Sequence, residues 1–218
     1  MGADSITERL RLFQVNVPLA LVGQGVGALL LIGKAAISFA PSFDGDVYGG
    51  LDAKTLSEDE LAWAQQHLCI LSGLYGVLRP LDLMRPYRLE MGTRLATAKG
   101  RNLYQFWGTQ IADYLNQRAA ADATPVVVNL ASEEYFKSVD RKALKPRVVT
   151  CVFEEFKAGK YKVISFMAKR ARGLMVRHAV SQRAVSVEQL KRFDAEGYRY
   201  IAEVSEPDRL VFRRDLAR

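Results

Sequence analysis

The residues best suited to chemistry in this sequence are the cations of one segment, MAKRARGLMVRHAVSQR, at positions 167–183. No acidic residue occurs from Ser165 to Val187, whereas a helix that needed only solubility would mix both signs. A helical projection sets four cations on one face: Lys169, Arg170, Arg172 and Arg177. Gly173 lies in the middle of that face, so we expect phosphate to come close there between the cations. The alternative is a solvated basic face whose glycine packs against a neighbouring element.

A second candidate site follows PVVVNLAS, an apolar run typical of a strand buried on both faces. Ligands of sheet proteins bind beyond the carboxyl ends of strands, where a helix also presents free N–H groups. The candidate catalytic residues there are Glu134, Tyr135 and Lys137, a set that could transfer protons or supply a lysine nucleophile. Helix capping by Ser132 with local charge pairing is the alternative.

A third candidate is the stretch LSGLYGVLRPLDLMRPYRLEMG, residues 71–92. Its glycines permit tight turns or close approach of the backbone. Its arginines carry planar, permanently charged guanidinium groups that can bind phosphate through two hydrogen bonds. The residues concerned are Gly73, Gly76, Arg79, Arg85 and Arg88. A helix that ends in LSG, followed by a short link, is similar to the helix-hairpin-helix of DNA-binding proteins, whose amides contact phosphates. The glycines here stand three apart rather than two.

Composition favours a globular protein with an anionic partner. Of the 218 residues, 49% are hydrophobic and 25% are charged, which argues against a disordered chain. The formal net charge is +7, and residues 141–218 alone carry 19 lysines and arginines against 9 acidic residues. This asymmetry predicts a polyanion partner, with nucleic acid first and an anionic membrane second. A well-solvated basic surface is the alternative.

Cysteine and histidine usage argues against a disulfide framework and a zinc site. Cys69 and Cys151 are the two cysteines, and they lack metal-site spacing. His67 and His178 are 111 positions apart. We therefore expect no bound metal and no cofactor, and a reducing cytoplasm fits the free thiols.

The first forty residues are unusual. No charge occurs from Leu12 to Gly33, a length that suits a signal-peptide core or a short membrane span, but several glycines and Lys34 interrupt it. The same run contains GQGVGA, which fits a dinucleotide-binding pattern but lacks an acidic residue at the end of a following strand. We therefore expect neither a membrane segment nor a nucleotide-binding turn.

The remaining patterns predict a single α/β (α+β) domain with a mixed central sheet flanked by helices. Predicted helices cover SEDELAWAQQHLCILSG, with Ser57 and Glu60 as a capping box, and NLYQFWGTQIADYLNQRAAA. RVVTCVFEEF and KYKVISF predict a hairpin around KAGK, and GYRYIAEVS and RLVFRRD predict two final strands.

Several long motifs together resemble the YaaA family of bacterial peroxide-stress proteins. They are GDVYGGL, QQHLCILSGLYGVLRPLDLMRPYRLEMG, NLYQFWG, VVNLASEEYFKSV, VISFMAKRARGLMVR and GYRYIAEVS with LVFRR, from about residue 43 to 214. The resemblance implies a cytosolic α/β protein that limits oxidative damage under peroxide, partly by holding down free iron. It also implies DNA binding through a positively charged cleft and a helix-hairpin-helix-like element, with no established cofactor.

The chain departs from that family at its front. Members normally begin with a strand that carries an S-P-A-K-T-like motif, and residues 1–42 contain none. We therefore divide the chain into an atypical apolar, glycine-rich segment, 1–42, expected to be poorly ordered, and a YaaA-like domain, 43–218. Loss of a core strand would leave an open sheet edge.

Two functions follow as expectations. The first is a cytosolic protein that binds double-stranded or branched DNA through phosphate contacts, in which the cations named above neutralise phosphates. The second is a DNA-processing lyase, glycosylase or nuclease that uses the region of Glu134, Tyr135 and Lys137. Direct iron sequestration ranks below both, because only carboxylate-rich sites remain open to it.

Overall fold

One mixed sheet organises the molecule, and the predicted α/β class is confirmed. The computed structural model describes residues 29–33, 46–82 and 87–215. Within these ranges the strands are β1 (Leu29–Gly33), β2 (Leu68–Ser72), β3 (Gly76–Leu78), β4 (Val126–Asn129), β5 (Arg147–Lys157), β6 (Lys160–Lys162), β7 (Arg199–Tyr200) and β8 (Arg209–Asp215). Their order is β3-β2-β1-β4-β5-β8-β7, and β6 pairs with β5.

Helices cover both faces of this sheet. Those described are α1 (Asp46–Leu51), α2 (Glu58–His67), α3 (Leu103–Trp107), α4 (Gln110–Ala119), α5 (Glu133–Phe136), α6 (Ser165–Ser181) and α7 (Val187–Leu190). On one face, Val149 and Phe153 of β5 pack with Met175 of α6. On the other, Val148 packs with Ile111 of α4, since successive strand residues point to opposite faces.

Strand β1 comes from the atypical front segment and lies inside the sheet. It runs parallel to β2, with Leu31 opposite Cys69, and parallel to β4, with Leu31 opposite Asn129. The loss of a core strand was expected to leave an open sheet edge, but LLLIG occupies the position between β2 and β4. The rest of segment 1–42, including GQGVGA, lies outside the described residues, and the division at 42/43 stays a prediction.

The predicted long helix SEDELAWAQQHLCILSG is wrong in its second half. The capping box of Ser57 and Glu60 is present, and α2 ends at His67. LCILS then forms β2, which is buried throughout and pairs antiparallel with β3. A run that buries every side chain between two helical layers suits a strand, and periodicity alone does not distinguish it from a buried helix.

The supposed helix-hairpin-helix element is accordingly a β-hairpin. Gly76, at the start of β3, has φ +71°, and a Cβ there would lie 2.8 Å from the Trp107 ring. A Cβ on Gly73 would lie 2.7 Å from the Leu89 carbonyl oxygen. Both glycines are therefore needed for close packing inside the protein. The space beside each is taken by other residues of the chain, and not left open for a phosphate.

The remaining predicted elements are largely confirmed. NLYQFWGTQIADYLNQRAAA forms two helices rather than one, because Gly108 between α3 and α4 has φ +49°. β4, β5 and β8 lie where the sequence predicts them. β6 covers only the start of the predicted strand KYKVISF, and β7 only Arg199–Tyr200 of GYRYIAEVS, in which Ala202–Val204 forms a 3-10 helix. The KAGK turn uses positive φ at Ala158 and Gly159, as two-residue hairpin loops require.

Gly173 is buried, so its predicted role as an open centre for phosphate is wrong. An added Cβ would lie 1.9 Å from the Val47 carbonyl oxygen of α1. On α1, a Cβ on Gly50 would lie 2.3 Å from the Arg170 carbonyl oxygen. The two glycines let the helices α1 and α6 cross at backbone contact, and the packing alternative is the correct one for Gly173.

Candidate anion-binding cavity

A cavity of about 770 Å³ opens beyond the carboxyl end of β4. β4 pairs with residues 147–150 of β5, and β6 pairs with residues 155–157, so residues 151–154 have no described strand on that edge. The cavity occupies this gap, and Thr150 to Phe153 line it. In α/β proteins, ligands commonly bind beyond the carboxyl ends of parallel strands, near a change of strand order. The cavity volume suits a small ligand or part of a larger one.

Arg172 of α6 lines the cavity from the helical layer. Its side chain is half-buried, and that burial lowers the pKa of its guanidinium, which still stays protonated. It forms no hydrogen bond or ion pair with any residue in the described ranges. A desolvated guanidinium with unused donors favours an anionic ligand, which would supply charge and hydrogen-bond acceptors together.

Three further cations line the same cavity from the segment after α5. Lys137, Arg141 and Lys142, with Arg172, face two acids, Glu133 and Asp140. Asp140 already accepts a hydrogen bond from the backbone N–H of Lys142 at 2.8 Å. The cavity lining therefore carries an excess of positive charge.

Of the three candidate catalytic residues, Lys137 lines the cavity, and Glu134 and Tyr135 do not. The Glu134 carboxylate accepts from the backbone N–H of Gly92 at 2.8 Å, and the Tyr135 hydroxyl donates to Glu90 at 2.8 Å. Burial and that carboxylate raise the pKa of Tyr135. Lys137 instead lines the cavity, with its ammonium 5.2 Å from the ring centre of Tyr104. Glu134 and Tyr135 are adjacent in the helix and point in different directions. Glu134 and Lys137, three residues apart, both contact Tyr104, whose hydroxyl donates to the Glu134 backbone carbonyl at 3.1 Å.

Arg170 and Arg177 of the basic helix are engaged by other residues of the protein, although the Arg170 side chain stays exposed. Arg170 donates to Glu196 at 2.7 Å, and this hydrogen bond is the main reason why the pKa of Glu196 is lowered. Arg177 donates to the Asp52 carbonyl at 3.1 Å and to the Thr55 hydroxyl at 2.6 Å. Arg177 thereby ties the turn after α1 to α6.

The other predicted cations lie outside the cavity lining. Arg79 pairs with Asp82 at 3.5 Å just after β3, which is separated from β4 by β2 and β1, about 14 Å across the sheet. Arg88 and Lys169 are exposed. Arg85 lies outside the described residues.

Arg141 and Lys142 were missed by the sequence reasoning, which stopped at the end of α5. A signal was available in the lengths of the two apolar runs. PVVVNLAS has 8 residues and RVVTCVFEEF has 10, so the second strand could extend past the first and leave part of its edge free. The cationic DRKALK lies between the two runs, and its Arg141 and Lys142 line the cavity.

Neither cysteine is placed to react with peroxide in the folded protein. Cys69 is 0% exposed, and Cys151, although it borders the cavity, is only 4% exposed; burial raises the pKa of each thiol to about 12. The thiolate is the reactive form, so both thiols should resist oxidation.

We expect the folded protein to retain both thiols in excess hydrogen peroxide, while the urea-unfolded chain loses them. Thiol titration after quenching and denaturation measures this, and the unfolded sample serves as the control. Equal oxidation rates in the folded and unfolded samples would contradict the burial argument.

The described part of the chain contains neither a metal-ligand cluster nor a membrane-spanning helix. There, no group of three or more histidine, cysteine or acidic residues is arranged to hold a metal ion. Among the described helices none is long and apolar enough to cross a membrane.

Fold and cavity together define an α/β protein with a cationic cavity at the carboxyl end of its central strands. The model of a protein family described as "Peroxide stress protein YaaA" matches residues 25–204. The chain belongs to this family.

Close relatives carry a less specific name. A "UPF0246 protein" of Polaromonas sp. is 76% identical over 173 residues, which cover 79% of this chain and 67% of the relative. One from Polaromonas naphthalenivorans is 74% identical and one from Paracidovorax citrulli 69% identical, each with the same coverage.

Proposed function

We propose that this chain is a cytosolic peroxide-stress protein that binds DNA, and that the cavity receives a backbone phosphate of that DNA. The observation that carries the proposal is Arg172, a half-buried guanidinium that lines the cavity without a partner among the described residues. By occupying DNA under peroxide, the protein would limit oxidative damage to it. A role in limiting free iron is part of the proposal on the family resemblance alone.

A polyanion suits the charge distribution better than an isolated small anion does. Beside the cavity cations, the β5–β6 hairpin adds Lys157, Lys160 and Lys162, none of which forms an ion pair with an acid in the described ranges. Several separated cations can each neutralise one phosphate of the same strand. A single small anion is too small to contact all of them. Binding should therefore weaken steeply as salt rises.

The first test is a change of Arg172 to glutamine. We expect Arg172→Gln to weaken binding to a short duplex about tenfold and to make the salt dependence shallower by about one phosphate contact. Fluorescence anisotropy at low and moderate salt measures both quantities, with thermal unfolding as a check on the fold.

Arg183→Gln is the matched control, because Arg183 follows the same helix and pairs with Asp59 at the surface. This control should bind like the unchanged protein. Lys137→Gln combined with Lys142→Gln repeats the test from the other wall of the cavity. Wild-type affinity and salt slope in both cavity variants would refute the assignment.

A further inference from the structure

The β5–β6 hairpin carries an exposed aromatic pair. Phe156 of β5 and Tyr161 of β6 lie opposite each other, with ring centres 5.2 Å apart in an edge-to-face arrangement. Phe156 is 44% exposed and Tyr161 is 36% exposed. Large rings are costly to leave in water, so an exposed pair at a strand end indicates a contact surface.

Tyr161 is held in place by its neighbours. Its hydroxyl donates to Asp215 at 2.9 Å, and the Arg213 guanidinium lies 4.3 Å from its ring centre. Arg213 is itself fixed by Glu154 at 2.8 Å. Tyr161 is therefore rigid and loses little freedom on binding, and its ring supports that of Phe156.

Cations surround this pair. Lys157 and Lys160 pair across the hairpin next to Phe156 and Tyr161, and Lys162 follows on β6. None of the three forms an ion pair with a described residue. Exposed rings interleaved with lysines are the features by which proteins hold single-stranded nucleic acid, because every base has a face that can stack.

The pair continues the face of β5 that reaches the cavity. Val152 lines the cavity, and Phe156 lies four residues further along the same face, about 13 Å away. Between them Glu154 is neutralised by Arg213. A nucleic-acid strand could run from the cavity along this face to the rings, where the Asp215 carboxylate is occupied by the Tyr161 hydroxyl.

We propose that the Phe156–Tyr161 pair is a stacking site for an unpaired nucleobase, with the hairpin lysines on the adjoining phosphates. The occupant is single-stranded or locally unpaired nucleic acid. This inference rests on the proposed nucleic-acid binding but not on the cavity, since the rings and the lysines belong to the hairpin.

The test compares an oligo-thymidine strand with a duplex of the same length. We expect Phe156→Ala to weaken single-strand binding about tenfold and to leave duplex affinity unchanged, while Phe156→Trp keeps single-strand binding. Leu81→Ala is the matched control, because Leu81 is 45% exposed and follows β3 at the other edge of the sheet.

Equal weakening of both ligands by Phe156→Ala, or no weakening, would overturn the inference. A lower mass of Phe156→Ala than of the unchanged protein in analytical ultracentrifugation, without nucleic acid, would also overturn it. That result would mean that the rings form a contact between two copies of the chain. If Arg172→Gln is without effect while Phe156→Ala still weakens the single strand, the cavity assignment fails and the stacking site stands.

Discussion

Gly173→Ala should lower the free energy of unfolding by about 2–3 kcal/mol, measured by urea or thermal unfolding. The new Cβ would lie 1.9 Å from the Val47 carbonyl oxygen, a backbone atom that cannot rotate away. Helix α1 would have to move off α6. The gain of about 1 kcal/mol that alanine brings to a helix does not offset this.

Gly49→Ala is the matched control, in the same pair of helices. A Cβ there meets only the far end of the Arg170 side chain at 3.7 Å, an ordinary contact. We expect this variant to be as stable as the unchanged protein or up to about 1 kcal/mol more stable. Equal stability of Gly173→Ala and Gly49→Ala would contradict the close crossing of α1 and α6.

Arg214→Gln should lower the free energy of unfolding by about 3–5 kcal/mol. Glu155 is 0% exposed, and its carboxylate pairs with Arg214 at 2.7 Å and accepts from the Tyr198 hydroxyl. Removal of the guanidinium leaves a buried carboxylate without a counter-ion. Arg214 also pairs with Glu196 at 3.2 Å, and Glu196 in turn pairs with Arg170. The substitution therefore also breaks this link between β8 and α6.

Arg147→Gln is the control for that change. Arg147 pairs with Asp208 at 2.6 Å, but both side chains are about half exposed or more, and such pairs contribute about 1 kcal/mol or less. Chemical denaturation of both variants compares a buried with an exposed pair. A loss as small for Arg214→Gln as for Arg147→Gln would show that Glu155 does not need Arg214.

Most helices and strands could be predicted from the sequence, because the local sequence pattern and the burial in the fold favour the same secondary structure. The strand PVVVN, the hairpin at KAGK and the capping box at Ser57 each follow from a local rule. LCILS was predicted wrongly, because a fully buried run has no periodicity that separates a strand from a helix. LLLIG was not placed in the sheet, because its partners are distant in sequence.

The site was predictable only in its parts. Arg172 and Lys137 were chosen for different functions, and the structure places them around one cavity. Arg170, Arg177 and Gly173 were chosen by the same helical projection, but their partners are Glu196, Thr55 and Val47. A projection shows which residues share a face and does not show which neighbour will cover that face.

The side-chain Nε–H signal of Arg172 tests the central claim most directly. In protein labelled with ¹⁵N-arginine, loss of one signal in Arg172→Lys assigns it, and a short duplex is then added. We predict that the Arg172 signal shifts with the affinity measured by anisotropy, while the Arg183 signal stays in place. Saturation with DNA that leaves the Arg172 signal unchanged would contradict phosphate binding in the cavity.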